Sequence, residues 1–168
     1  PDLAGRFHAL PEARQGHTAT LMKDNKVLFI GNSGDNSAAG KVLTYISATP
    51  ASSTWSSTSA AGNVRYNHTA TVLDTTQSKV LVIGGGVTPN SAEIYDIDAN
   101  TWTATTAMST ARSLHTSTKL LDGRILVVGG YDGKQSLTSI EIYDPSSSAW
   151  TTYAKVLNTA REIGRAHV

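Results

Sequence analysis

The sequence contains no cysteine, and charged residues make up only 16% of its 168 residues, where about a quarter is usual. Without cysteine it has no disulfide framework and offers no redox evidence for a compartment. The net charge is +1, with neither a basic run nor an acidic block, so the electrostatic footprint of a nucleic-acid-binding protein is absent. No apolar stretch reaches the roughly 18 residues of a membrane-spanning helix.

The same succession of characteristic residues occurs three times along the sequence, at a period of about 50 residues. Each unit opens with Arg and His, continues into a four-residue apolar run that ends at Gly, and then presents Tyr and Trp. The markers are Arg14, His17, Gly31, Tyr45 and Trp55, then Arg65, His68, Gly84, Gly85, Tyr95 and Trp102, then Arg112, His115, Gly129, Gly130, Tyr143 and Trp150. Such a period indicates a β-propeller or another repeat array.

Each unit is predicted to form four antiparallel strands, which makes the chain all-β. In the third unit, residues 115–121 alternate into Asp122 and Gly123, a favourable two-residue hairpin turn. The apolar run in residues 124–128 predicts a strand buried on both faces. Residues 139–143 and 149–153 predict the third strand and the outer strand. A dinucleotide site at the neighbouring glycines of the second unit is excluded, because no helix follows them.

The succession of Gly-Gly, Tyr and Trp resembles the kelch motif. Residues 93–96 with Trp102, and residues 141–145 with Trp150, match it closely. The opening Ala-Arg-x-x-His-Thr is similar to that of bacterial kelch-repeat and galactose oxidase-type propellers. The resemblance implies that each unit is one four-stranded blade whose Tyr and Trp pack within and between blades. The first unit departs from the motif at Gly31 and Tyr45, so we expect it to be the least regular blade.

The resemblance implies a partial kelch β-propeller, because such rings generally close with about five to seven blades. The segments are 1–12 as the outer strand of a preceding blade, 13–62, 63–110 and 111–160 as three blades, and 161–168 as the start of a next blade or a non-native tail. The tail breaks the Arg-to-His spacing, and an alternative origin is a sequencing adapter. The expected partners are the remaining blades of a parent chain, or other copies of the fragment through exposed apolar blade faces.

The repeated Arg and His side chains are the first candidates for chemistry. A residue that every blade requires is better explained by blade structure, so we expect each Arg to donate to carbonyls or carboxylates of a neighbouring blade, such as Glu93 and Glu141. Two equivalent imidazoles could meet a metal ion, although repetition argues against that role. No cofactor, metal or catalytic residue is predicted. A galactose oxidase-type cofactor requires a Tyr cross-linked to a Cys, which this sequence lacks.

Ligand-binding residues are expected where the repeats differ, because loops on a rigid scaffold carry specificity. The resemblance to kelch propellers implies that the loops between second and third strands share a face with the connections between blades. The residues between the repeated Arg and His would lie near the mouth of the central channel on that face. The candidates are Gln15, Asp35, Asn36, Tyr66, Asn67, Asn90, Ser113, Tyr131, Asp132 and Lys134. Tyr66 and Tyr131 would stack on a sugar or a peptide, with polar neighbours as hydrogen-bonding groups. The alternative is that each is a solvated turn residue.

The function that follows is a non-catalytic scaffold that binds a protein or a glycan. The composition, rich in Ser and Thr and poor in charge, suits an exported bacterial protein that is extracellular, at the cell surface or periplasmic. One alternative is the structural part of a galactose oxidase-like copper enzyme whose catalytic residues lie outside this segment. A second is a purely structural repeat.

Overall fold

The structure is a computed structural model that describes residues 13–33, 39–44, 54–153 and 157–161. The described residues form twelve strands. The first four are β1 Arg14–Leu21, β2 Lys26–Ser33, β3 Ala39–Thr44 and β4 Thr54–Ala60. The next four are β5 Thr69–Val72, β6 Lys79–Ile83, β7 Ala92–Asp96 and β8 Thr101–Ala104. The last four are β9 Thr116–Lys119, β10 Ile125–Val128, β11 Ile140–Asp144 and β12 Ala149–Tyr153.

Each group of four consecutive strands forms one antiparallel sheet in sequence order. The first strands of the sheets are neighbours, β1 beside β5 and β5 beside β9, and the outer strand β4 lies near β8. Three sheets set side by side along their first strands are blades around a channel, so the predicted all-β partial propeller is confirmed. No helix formed by the described residues has the length and apolar character needed to cross a membrane.

The core consists of two layers between blades, because successive strand residues point to opposite faces of a sheet. Between the first two blades, Leu28 and Ile30 pack with Val80 and Val82. Between the second and third blades, Leu81 and Ile83 pack against the side chains of β10, β11 and the connection that precedes β9. Residues 80–83 are all 0% exposed, which makes β6 a strand buried on both faces.

The strand predicted over residues 124–128 differs from β6 in this respect. Ile125 and Val127 are fully buried against the second blade, whereas Leu126 and Val128 are only half-buried. The prediction of burial on both faces is therefore wrong for this strand. The physical reason is that an apolar run of four residues fits both a strand with two covered faces and a strand with one.

The turn between β9 and β10 also corrects the sequence prediction. The amide of Leu120 donates to the carbonyl of Arg124 at 2.8 Å, and the amide of Gly123 donates to the carbonyl of Leu120 at 3.0 Å. The loop therefore has three residues, 121–123, and Gly123 has a φ of +88°. Leu121 is fully exposed, so no core contact extends the strand to this residue. A three-residue loop that ends in a left-handed glycine is the next most common hairpin connection.

Tyr and Trp connect the strands of one blade and also join neighbouring blades. The rings of Tyr95 and Trp102 lie 5.0 Å apart, as do those of Tyr143 and Trp150. The Trp102 indole N–H donates at 3.0 Å to the carbonyl of Ser59 on the outer strand of the first blade. Trp150 makes the equivalent contact with the second blade. In the first blade, Trp55 packs on Phe29 at 5.2 Å, while Tyr45 lies outside the described residues.

Candidate binding site at the channel mouth

The residue before each repeated His adopts the left-handed backbone conformation. These residues are Gly16, Asn67 and Leu114, with φ values of +58°, +55° and +54°. The Asn67 amide donates to the Gly16 carbonyl at 2.8 Å, and the Leu114 amide donates to the Asn67 carbonyl at 2.9 Å. A backbone hydrogen-bond ladder therefore passes from blade to blade around the mouth of the channel.

The repeated Arg fixes the start of each inner strand. One guanidinium nitrogen of Arg14, Arg65 and Arg112 donates, at 2.7 Å in each case, to the carbonyl of Gly31, Gly84 and Gly129. Each Arg therefore holds the end of the second strand of its own blade against the start of the first. The repetition of one contact in all three blades assigns these side chains to the scaffold.

Two of these Arg side chains form buried ion pairs. Arg112 lies 2.8 Å from Glu141, and Arg65 lies 2.8 Å from Glu93. The prediction that these Arg side chains donate to a neighbouring blade is wrong, because each pair lies within one blade. The carboxylate provides the connection between blades instead: Glu141 accepts the backbone amide of Ser109 at 2.9 Å, in the segment arriving from the second blade.

The repeated His links each inner strand to the preceding one. The Nε2 atom of His68 lies 2.9 Å from the hydroxyl of Thr18, and that of His115 lies 2.9 Å from the hydroxyl of Thr69. Burial, together with the nearby guanidinium of the same repeat, lowers the pKa of both imidazoles to about 3. Both rings are therefore neutral near pH 7. Within the described residues, no group of three or more His, Asp or Glu is placed to hold a metal ion.

The glycine pair lies where the second blade meets the third. Gly85 has a φ of +67°, and a Cβ at this position would lie 2.7 Å from the backbone nitrogen of His68. The Gly85 amide donates to the carbonyl of Arg112 at 3.0 Å. Only glycine combines this φ with so close an approach of the inner strand.

A cleft of about 290 Å³ opens at the channel mouth between the first two blades. Its walls are Gln15, Gly16, Tyr66 and Asn67. The structure thus brings together three of the predicted ligand-binding residues. Tyr66 is 39% exposed, so its ring is available at the surface. No charged side chain is among these lining residues.

A second cavity of about 160 Å³ continues into the channel. Its walls are Gly16, His17, Asn67, His68, Leu114 and His115. Gly16 and Asn67 belong to the walls of both cavities, which makes the cleft and the channel cavity adjacent. The second cavity extends the mouth toward the third blade.

Ser113 and Tyr131 lie beside the mouth in the third blade. The Ser113 amide donates to the Tyr131 carbonyl at 2.9 Å, and the Tyr131 amide donates back at 2.8 Å. This bridge attaches the loop between β10 and β11 to the start of the inner strand. Both residues are half-buried and flank the channel cavity without being among its lining residues.

The other predicted candidates serve their loops or lie elsewhere. Asp132 accepts the backbone amides of Lys134 and Gln135, each at 2.8 Å, and these hydrogen bonds lower the pKa of its carboxyl group. The carbonyl of Asn90 accepts the amide of Met108 at 2.9 Å, in the connection that leads from β8 to β9. Asn90 and Lys134 do not line the cleft described above. Asp35 and Asn36 lie outside the described residues.

Sequence reasoning missed two residues of the cavity walls, Gly16 and Leu114. The missed signal is positional, because both occupy the place directly before the repeated His. Glycine at that place in one unit and Asn67 in the next indicate a left-handed residue. Leu114 carried no such signal, because leucine rarely adopts this conformation.

Comparisons with known proteins agree with the blade architecture. A family model described as the KLHDC2/KLHL20/DRC7 Kelch-repeats domain matches residues 16–167. Kelch-like protein 28 of Mus musculus is 33% identical over 149 residues, which cover 79% of this chain and 25% of that protein. F-box protein AFR of Arabidopsis thaliana is 34% identical over 82 residues, which cover 48% of this chain and 22% of that protein. The chain thus spans about a quarter of the length of these relatives.

A solved structure described as "Structure of YjhT" shares the fold. Its TM-score is 0.72 at 16% identity, and the match covers 93% of this chain and 56% of that chain. The predicted kelch resemblance is therefore confirmed by sequence and by architecture. On the strength of the family match and the three four-stranded blades, the chain belongs to the Kelch-repeat family.

Proposed function

We propose that this chain is a protein-binding scaffold that holds an extended segment of a partner at the channel mouth. The observation that carries the proposal is the cleft between the first two blades, which is lined by the exposed Tyr66 and by the amide side chains of Gln15 and Asn67. Kelch domains bind protein partners, which supports a protein as the ligand.

The chemistry of the cleft matches a polypeptide backbone. The side-chain amides of Gln15 and Asn67 each contain a donor and an acceptor, so they can pair with both the N–H and the C=O groups of an extended chain. The Tyr66 ring adds a large apolar surface with a hydroxyl at its tip. Aromatic anchors of this kind dominate the energetics of many protein interfaces.

The electrostatics and the rigidity of the cleft restrict the partner further. Among the residues that the structure describes, the lining side chains are uncharged, so a charged group of the ligand would lose its hydration without gaining a partner from them. The backbone ladder through Gly16, Asn67 and Leu114 holds the walls in place before binding. A preformed site avoids part of the ordering cost of association. We therefore expect the bound segment to be uncharged where it enters the cleft.

Three more specific predictions from the sequence, on the ligand class, the origin and an enzymatic role, stay predictions. They are a glycan ligand, an exported bacterial origin with a location at the cell surface, in the periplasm or outside the cell, and a galactose oxidase-like copper enzyme elsewhere in a longer chain. A glycan ligand would use the same stacking on Tyr66, so the experiment below includes sugars as a competing class.

Selection of peptides on the purified chain tests the proposal. A displayed library of random peptides is enriched on the wild-type chain, and the affinity of a recovered peptide is measured for Tyr66→Ala and Tyr153→Ala. Tyr153 is 44% exposed on the outer strand, which makes it a matched control away from the mouth. Loss of an aromatic anchor costs about tenfold or more in affinity.

We expect Tyr66→Ala to weaken binding by that factor and Tyr153→Ala to leave it unchanged. If wild type and Tyr66→Ala bind the recovered peptide with equal affinity, the cleft is not the binding site. A panel of oligosaccharides tested in parallel separates the two ligand classes: binding of a sugar with no peptide enriched would support the glycan alternative instead.

A further inference from the structure

Leu114 occupies a backbone position that is unfavourable for leucine. Its φ of +54° is equivalent to that of Gly16 and Asn67 in the other two blades. Glycine and asparagine adopt the left-handed region readily, whereas a branched apolar side chain is strongly disfavoured there. The other two blades therefore show which residue types this position accepts without strain.

The surroundings of Leu114 hold it in this conformation. Its amide donates to the Asn67 carbonyl at 2.9 Å. Two residues earlier, Arg112 is fully buried, and the next residue, His115, is 1% exposed. A sparsely populated conformation persists only where the surrounding structure imposes it, and such residues concentrate at functional sites.

The side chain of Leu114 is half-buried and forms part of the wall of the channel cavity. The other walls include His17, His68 and His115. The rings of His68 and His115 are uncharged near pH 7, because burial and a nearby guanidinium lower their pKa to about 3. Leu114 contributes an aliphatic surface to this cavity. Through Gly16 and Asn67 the cavity adjoins the cleft at the mouth.

We infer that Leu114 is a specificity-determining residue, which receives an uncharged apolar side chain of the protein segment bound at the channel mouth. The inference rests on the proposed function, because it assigns the occupant of the cavity next to the cleft. Leucine stands at this position despite its backbone cost, and its side chain gives the cavity an apolar wall.

Two substitutions of Leu114 test the effect of its apolar side chain separately from the effect of its backbone conformation. Leu114→Asn removes the apolar surface and installs the residue that the second blade carries at the same place. Leu114→Met keeps an apolar side chain and keeps the unfavourable conformation. The probe is a peptide recovered from the random library on the wild-type chain, and urea denaturation of each variant checks the fold.

We expect Leu114→Asn to weaken peptide binding by about tenfold to a hundredfold, the range for a lost apolar contact in a pocket, with a denaturation midpoint no lower than that of wild type. Leu114→Met should weaken binding less than Leu114→Asn. The recovered peptides should share one apolar position, and a library selected on Leu114→Asn should lose that preference.

The outcomes distinguish the inference from the proposed function. If Tyr66→Ala loses binding while Leu114→Asn binds as wild type does, the cleft is the site and the inference about Leu114 is wrong. If Tyr66→Ala also binds normally, or no peptide is enriched at all, the proposed function fails and the inference fails with it. A lowered midpoint for Leu114→Asn would overturn the argument from backbone strain.

Discussion

The buried pair of Arg112 and Glu141 offers the sharpest test of how the blades are held together. Both side chains are 0% exposed and their charged atoms lie 2.8 Å apart. Glu141→Gln removes the negative charge at nearly constant volume and keeps an oxygen that can accept the amide of Ser109. The substitution therefore leaves the guanidinium of Arg112 buried without its counter-charge.

The structure sets the size of the expected effect. Removing one partner of a buried ion pair costs about 3–5 kcal/mol, a large fraction of the roughly 5–15 kcal/mol that stabilises a typical domain. The exposed pair of Arg124 and Asp122 supplies a matched control, with 46% and 49% of the side chains exposed at a separation of 2.7 Å. Arg124→Gln should cost far less, because water screens an exposed ion pair.

Urea denaturation followed by tryptophan fluorescence measures both variants. With a slope of about 2 kcal/mol per molar urea, Glu141→Gln should lower the midpoint by about 1.5–2.5 M, and Arg124→Gln by less than about 0.5 M. A cost below about 1 kcal/mol for Glu141→Gln would refute the conclusion that the carboxylate of Glu141 compensates the buried guanidinium of Arg112.

Two further predictions concern acid and the glycine pair. The pKa of His68 and of His115 is lowered to about 3 in the folded chain. Below about pH 6.5 the unfolded chain therefore binds more protons than the folded chain. As the pH falls, the free energy of unfolding decreases by up to about 1.4 kcal/mol per pH unit for each histidine. Denaturation at about pH 7.5 and about pH 5.5 measures this slope, and His115→Gln should reduce it by about half; an unchanged slope would contradict the assignment. Gly85→Ala places a Cβ against the backbone of the neighbouring inner strand and should cost about 3 kcal/mol or more, whereas Gly133→Ala, at a φ of +96° with nothing within 4 Å, should cost only about 1 kcal/mol. Equal costs in thermal denaturation would show that the close approach at Gly85 is absent.

Sequence reasoning predicted best where a feature recurs in every unit. The apolar run of each unit falls on its second strand, β2, β6 or β10, although burial on both faces holds for β6 and not for β10. The resemblance to the kelch motif implied that Tyr and Trp pack within and between blades, which the contacts of Trp102 and Trp150 show. These features are local patterns with a fixed period, so three copies reinforce one another.

The sequence reasoning was least complete at the candidate site, because contacts between blades join residues about fifty positions apart. The cleft is lined by Tyr66 from one blade and Gln15 from another. The carboxylate of Asp132, a similar loop residue, instead accepts hydrogen bonds from the backbone of its own turn. No local sequence pattern distinguishes a loop residue that lines the cleft from one that only stabilises its own turn.

By itself, the sequence determined the repeat, the four strands of each unit, and the residues that every blade requires. The tertiary structure alone decided that Glu141 caps the connection from the preceding blade, that β10 is fully buried on one face only, and that Leu114 is held in a left-handed conformation at the channel. The physical reason is that periodicity records what each blade needs for its own strands. The backbone ladder and the cavities depend on how one blade is positioned against the next.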